Sequence, residues 1–261
     1  MKVPFCYITI VIQQLTIYHY SDTLIVRGDI MRKYITIYHG SKRIIENPIF
    51  GEGKKNNDFG LGFYCTENKD LAKEWAVNSL DNGYSNEYKL NTEYLKILNL
   101  NCNEFSILNW IAILVEHRLF SISTPIAKKA RQYLIDNFSI NVNSYDVIIG
   151  YRADDSYFDY AEAFLNNSIS VLQLANAMKL GKLGEQFVIK SEYAFSCLEY
   201  VGYEIALKDV YYEKRIERNN EANDSYQKML EKDDINGLYI KDIINGDVKN
   251  DDPRIPRMLS K

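Results

Sequence analysis

An α+β fold is what this sequence predicts, on three observations. Short alternating β-type segments and segments of helical period are mixed along the chain rather than sorted into halves. No solenoid repeat or low-complexity block interrupts them. Apolar residues make up 46% of the 261, enough for a real core in one domain with an extension or in two small ones.

Residues 1–31 stand apart. Pro4 to Ile12 is mostly apolar, yet it is short, is preceded only by Lys2 and lacks a small-residue cleavage pattern, so it does not read as a signal peptide. It is also too short for a membrane-spanning helix. Codons for Arg27-Gly28-Asp29 can spell a purine-rich ribosome-binding sequence, which makes Met31 the expected native start and residues 1–31 a leader that is not native; an extra strand or a disordered leader is the alternative. Tyr34 to Tyr38 then alternates as a strand, ended by Gly40-Ser41. Pro48 to Asp58 is a loop, and Gly60-Leu61-Gly62 lets the backbone approach a ligand closely. Phe63 to Cys65 is a short strand. Thr66 or Asn68 caps the next helix, which has Asp70 in its first turn and places Leu71, Ala72, Trp75, Ala76 and Leu80 on one face.

Further on, Tyr94 to Leu100 reads as a strand and Ile107 to Leu119 as an apolar helix. Thr124-Pro125 starts another helix, with threonine as cap and proline at the first helical position. Tyr145 to Gly150 is a buried strand, and Ser168 to Leu180 has helical period. Gly181 and Gly184 break the chain before a strand at Gln186 to Lys190. Ser191 to Tyr200 is a short helix or turn. From Glu204 the chain is charged and helical to about Glu231, and it ends in a polar tail with Pro253 and Pro256.

The net charge of −4 argues against a broad nucleic-acid-binding surface. Cys6, Cys65, Cys102 and Cys197 are scattered without paired or metal-type spacing, which points to a reduced, cytoplasmic protein with no membrane partner. With His19, His39 and His117 as the only histidines, a multi-histidine metal site is not expected.

Two segments carry the chemistry: Tyr38-His39-Gly40-Ser41, and the glycine-spaced aromatic turn Asp58-Phe59-Gly60-Leu61-Gly62-Phe63-Tyr64-Cys65-Thr66, with Trp75 on the helix that follows. This is the layout of a pocket for a flat heteroaromatic ring attached to a sugar. It resembles the first two motifs of the ADP-ribosyltransferases of the His-Tyr-Glu type, the group that includes the poly(ADP-ribose) polymerases. The resemblance implies a core with a split mixed and antiparallel β-sheet, inserted helices and a helical C-terminal extension, with residues 32–203 as the transferase-like domain and 204–261 as extension and tail. It implies NAD as substrate and no metal. His39 would hydrogen-bond the adenosine ribose, Gly40 would offer its backbone to the nicotinamide carboxamide, and Ser41 would add a hydroxyl. Tyr64, which follows Gly62 and Phe63, would stack on nicotinamide, and Trp75, three helical turns on, would close a sandwich around the ring. One departure is Ala72, where the family places a serine.

The third motif of that family is a glutamate on a late strand, and here Gln186 aligns to it, since Phe187 and Ile189 then share the opposite, core-facing side. Glu185 takes the position if the register slips by one, and Asp154-Asp155 is another source of a carboxylate. Glutamine keeps the hydrogen bond without the charge, which disfavours polymer elongation. The order of motifs from about Lys33 to Tyr200, including Tyr145-Asp146-Val147-Ile148-Ile149-Gly150, also resembles a domain-of-unknown-function family of bacterial ADP-ribosyltransferase-like proteins, some of them suspected in toxin–antitoxin or phage-conflict systems. The expectation is therefore a mono-ADP-ribosyltransferase acting on a macromolecular acceptor, protein first. NAD hydrolysis and a non-catalytic NAD-, ADP-ribose- or protein-binding module are the alternatives. The extension after Glu204 either binds an antitoxin or regulatory protein, covers the site, or is a solvated accessory helix pair.

Among the remaining candidates, Cys65 reads as core and His117 as a helix-face residue. Arg152 reads as a surface ion-pair residue before a phosphate contact, and Glu213 to Arg218 as a solvated helix face.

Overall fold

The computed structural model describes residues 23–26, 29–120, 122–153, 155–180, 184–232 and 234–257, with side chains from Lys33 onward except at 155–157. The strands are β1 (Thr23–Val26), β2 (Asp29–Arg32), β3 (Tyr34–Ser41), β4 (Phe63–Cys65), β5 (Gly83–Asn91), β6 (Ile97–Asn99), β7 (Val147–Tyr151), β8 (Glu185–Ile189) and β9 (Leu198–Ala206). The helices are α1 (Lys69–Ala76), α2 (Ile107–His117), α3 (Pro125–Phe138), α4 (Asp155–Leu165), α5 (Val171–Ala177), α6 (Glu192–Ser196), α7 (Lys208–Leu230) and α8 (Ile240–Asn245). The fold is α+β. An antiparallel sheet in the order β3-β5-β9 faces a mixed sheet in the order β4-β8-β7-β6, in which β6 and β7 are parallel. The hairpin β1-β2 spans the expected leader boundary, and the rest of the leader lies outside the described residues.

Two apolar layers hold the sheets. Ile35, Ile37, Tyr88 and Leu90 of the first sheet pack against Cys65, Val147, Ile149, Phe187 and Ile189 of the second. On the far face of the mixed sheet, Ile148 and Val188 join α2–α5 in the larger core. Strand β8 is therefore buried on both faces, and its alternation sends Phe187 and Ile189 to one core and Val188 to the other, with Gln186 on the Val188 side. Helix α2 is buried at every position from Ile107 to Val115, as befits a helix apolar all round.

Helix α1 lies on the first sheet through small residues. A Cβ on Gly40 would sit 2.0 Å from the Ala72 carbonyl oxygen, and one on Gly83 would sit 2.2 Å from that of Ala76. Gly40→Ala is therefore expected to cost about 2 kcal/mol or more by overpacking, read as a lower urea midpoint at unchanged slope.

Several element expectations change. Helix α1 stops at Ala76 because the Asn78 side chain accepts from Leu80 N at 2.8 Å and Asp81 N at 2.7 Å, closing a turn that leaves Leu80 77% exposed. Tyr94 is not in a strand; it has φ 68° in a turn built on the Asn91 side chain, and β6 begins at Ile97. Strand β3 runs on through Gly40 to Ser41 because β5 pairs with it all the way, Ser41 opposite Tyr84. Strand β9 takes Glu204 into the sheet, where it binds Lys69 and Lys73 of α1 at 2.7 Å each, and the long helix starts at Lys208.

The C-terminal extension is not a solvated pair. Tyr226 of α7 stacks on Tyr160 at 4.0 Å, and Ile240, Ile243, Val248 and Ile255 enter the larger core. In α7, Glu213, Lys214 and Glu217 are exposed as expected of a solvated face, while the half-buried Arg218 at its end holds the buried Glu74 of α1 through two bonds of 2.8 and 3.0 Å. Among the described residues no helix is long and apolar enough to cross a membrane.

Candidate functional site

The sheets meet at a bridge between Tyr38 and Thr66, with N–H···O distances of 2.7 and 3.0 Å in the two directions. That bridge sets His39 against Tyr64. His39 Nδ1 lies 2.7 Å from the Tyr64 carbonyl oxygen, which only accepts, so Nδ1 carries the proton and Nε2 is left as an acceptor. The imidazole stacks on Phe63 at 4.2 Å, and burial lowers its pKa, favouring the neutral ring. Next to it, Asn86 of β5 ties down the strand end and the loop beyond. Its amide donates to His39 O, Ser41 Oγ and Arg43 O, and its oxygen accepts from Ile45 N. The Ser41 hydroxyl donates to Arg43 O, so its proton serves the loop.

The aromatic turn is locked by Tyr64. Its hydroxyl donates to Gly60 O at 2.5 Å and accepts from Phe59 N at 3.1 Å. Gly60 has φ 74°, which this turn requires. The space beside Gly62 is taken by β8, where a Cβ would lie 2.6 Å from Val188 Cγ1. Gly60 thus serves the turn, and Gly62 serves the close packing of β4 on β8. Beneath the turn, Lys190 donates to Phe59 O at 2.7 Å, and burial lowers its pKa to about 8. The His117 ring, at the end of α2, lies against Gly60.

The Lys190 shift has a stability consequence. Its folded pKa lies below the unfolded value, so between pH 8 and about 10 the unfolded chain binds more protons and stability rises with pH. Urea midpoints across this window should rise for wild type relative to Lys190→Met; parallel curves would contradict this.

A buried polar cluster that sequence reasoning missed stands at the back. Asp58, 5% exposed, accepts from Gln186 Nε2 at 2.8 Å and Ala153 N at 2.9 Å, and pairs with Arg118 Nε at 3.0 Å. Burial pushes its carboxyl up from the usual range, while Arg118, Ala153 and Gln186 pull the other way. Gln186 Nε2 also donates to Tyr151 O at 3.2 Å. Asp58 stood inside the quoted motif but carried no role there, because its partners come from β8, the end of β7 and the end of α2. The Arg152 guanidinium lies 4.0 Å over the Trp75 ring. One face of the indole is thereby covered, and the indole Nε1 is buried without a hydrogen-bond partner among the described residues.

These groups line one cleft of about 990 Å³, near the upper end for small-molecule sites. His39, Gly40, Ser41, Gly62, Tyr64, Trp75 and Gln186 all border it. So do Asp58, Arg118, Arg152 and the loop cations Lys42, Arg43 and Lys54. Glu185 is exposed at the start of β8 and does not border the cleft; Asp154 lies outside the described residues, and Asp155 opens α4. Among the described residues no group of three or more His, Cys, Asp or Glu is placed to hold a metal ion. The arrangement offers a neutral imidazole acceptor, aromatic faces, a polar amide and cations in one concave site.

A family model described as "Protein of unknown function (DUF3990)" matches residues 35–200, the span that runs from β3 into β9 and contains every residue of the cleft. No curated protein and no solved structure matches the chain.

Proposed function

We propose that this chain, which belongs to the DUF3990 family, is an NAD-consuming mono-ADP-ribosyltransferase on an ADP-ribosyltransferase-like scaffold. The observation that carries the reading is the convergence of His39, Gly40, Ser41, Tyr64, Trp75 and Gln186, from four separate segments, on one cleft. The residues fit a dinucleotide: aromatic rings for a heteroaromatic base, an unpartnered indole N–H, an imidazole Nε2 for a sugar hydroxyl, and Lys42, Arg43 and Lys54 for phosphates.

In the reaction the C1′–N bond of the nicotinamide riboside breaks, and both electrons go to the pyridinium nitrogen. Neutral nicotinamide leaves a cationic ribosyl centre. An oxygen or nitrogen of the acceptor then bonds C1′ and releases its proton to solvent. Little general-acid help is needed; the protein holds the bent substrate, excludes bulk water and stabilises positive charge on the sugar. His39 positions the distal ribose, Tyr64 and Trp75 hold the leaving ring, and Gln186 accepts from a ribose hydroxyl. The acceptor is a macromolecule, protein first, and an effector role in toxin–antitoxin or phage conflict is part of the proposal.

A second reading, a binding module without chemistry, is favoured by two observations: position 186 carries no charge, and Arg152 already covers one face of Trp75. NAD labelled in the adenylate half separates the readings. Label on macromolecules from a lysate supports transfer, free labelled ADP-ribose supports hydrolysis, and tight binding with intact NAD supports the module.

A further inference from the structure

Among the described residues, Asp58 is the carboxylate that lies both in the cleft and against the residue aligned to the third motif. From this geometry, and resting on the reading of the cleft as an NAD-cleaving site, we infer that Asp58 acts through Gln186 as the negative half of a split carboxylate. It is a positioning residue that orients and polarises the Gln186 amide toward the ribosyl cation.

The orientation of Gln186 follows from its partners. Asp58 Oδ2 at 2.8 Å and the Tyr151 carbonyl at 3.2 Å both accept, so both amide protons are taken up by protein acceptors. The carbonyl oxygen Oε1 is then the atom that Gln186, which borders the cleft, has to offer. An isolated glutamine would offer either end, and an N–H there would repel a cation. A carboxylate behind the amide fixes the favourable end. It also pushes electron density through the amide onto Oε1, strengthening that acceptor as bonds in a chain reinforce one another. The charge sits one side chain back from the position where a glutamate would place it.

Asp58 is held rigidly enough for this role. Ala153 N donates to the same oxygen at 2.9 Å, and Arg118 forms an ion pair with the other at 3.0 Å while lying 4.4 Å over the Phe158 ring and donating to Asn56 O at 3.1 Å. Phe59, next in sequence, is 1% exposed and packs in the larger core, anchoring the backbone. A carboxylate kept only for structure would be satisfied by the Arg118 charge and the Ala153 N–H; the hydrogen bond from Gln186 is the one that joins it to the residue aligned to the third motif.

The test moves the charge back. Nicotinamide release from NAD is measured for wild type, Asp58→Asn and Asp58→Asn/Gln186→Glu, each checked for an unchanged thermal midpoint. Asp58→Asn should lower kcat at least 100-fold with KM for NAD within threefold. The double variant, which places a carboxylate directly at position 186, should recover at least tenfold of that loss. A purely structural Asp58 would give no such rescue. Should Asp58→Asn fail to fold, the double variant, which returns an anion to the Arg118 side, is compared with wild type directly. Release within 30-fold supports the inference, and a greater loss in folded protein overturns it. Wild-type release that survives Asp58→Asn within threefold, or a folded double variant no better than the single one, removes this inference and leaves the NAD-cleaving reading intact. Silence from wild type removes both.

Discussion

Arg218→Ala should lower the unfolding free energy by about 3 kcal/mol, the cost expected when a buried carboxylate loses its partner. Glu74 has only 3% of its side chain exposed, and Arg218 supplies two of its bonds at 2.8 and 3.0 Å. The pair joins α7 to α1, and α1 carries Trp75 into the cleft. The effect is much larger than for the exposed pairs on this protein, such as Lys42 with Asp81, where solvent screens both charges. A double variant, Glu74→Gln/Arg218→Met, should recover most of the loss, because it removes the uncompensated charge rather than one side of the pair. Equilibrium urea denaturation checks both; a loss under 1 kcal/mol for Arg218→Ala would show that the pair does not hold the helices together.

Trp75→Ala should weaken NAD binding by roughly 5- to 150-fold, from the about 1–3 kcal/mol that a stacking ring contributes to a base. The indole offers one face to the cleft, because Arg152 lies 4.0 Å over the other. Removing it also frees the guanidinium from its platform. Titration calorimetry with NAD measures the change, and Trp75→Phe, which keeps a ring, should lose less than tenfold. Equal affinity for wild type and Trp75→Ala would exclude the indole from the binding surface.

Much of the fold is legible because its signals are local. The cap Asn68, which accepts from Asp70 N and Leu71 N, the Thr124-Pro125 helix start and the three-residue strand β4 all sit where the sequence puts them. Strands β5 and β9 are not legible. Strand β5 buries Ser85 and Asn86 beside Tyr88 and Leu90, so apolar alternation fails just where the strand is central, and its backbone pairs with both neighbours. Strand β9 exposes Val201, Tyr203 and Ile205 at the sheet edge, and its Glu204, also exposed, pairs with two lysines of α1, a pattern that reads as the start of a charged helix. In the site, His39 and Tyr64 are readable because each belongs to a contiguous motif, and Trp75 because it lies on the helix that directly follows the second. The Asp58–Gln186–Arg118 cluster is not, because its members lie on three segments that only the antiparallel pairing of β8 with β7 and the end of α2 bring together.

Nicotinamide release from NAD by the purified protein, compared with Tyr64→Ala and Gln186→Ala, tests the central claim most directly. The account predicts release from wild type and its loss in both variants. No release from wild type, with or without cell lysate as a source of acceptor, would contradict it.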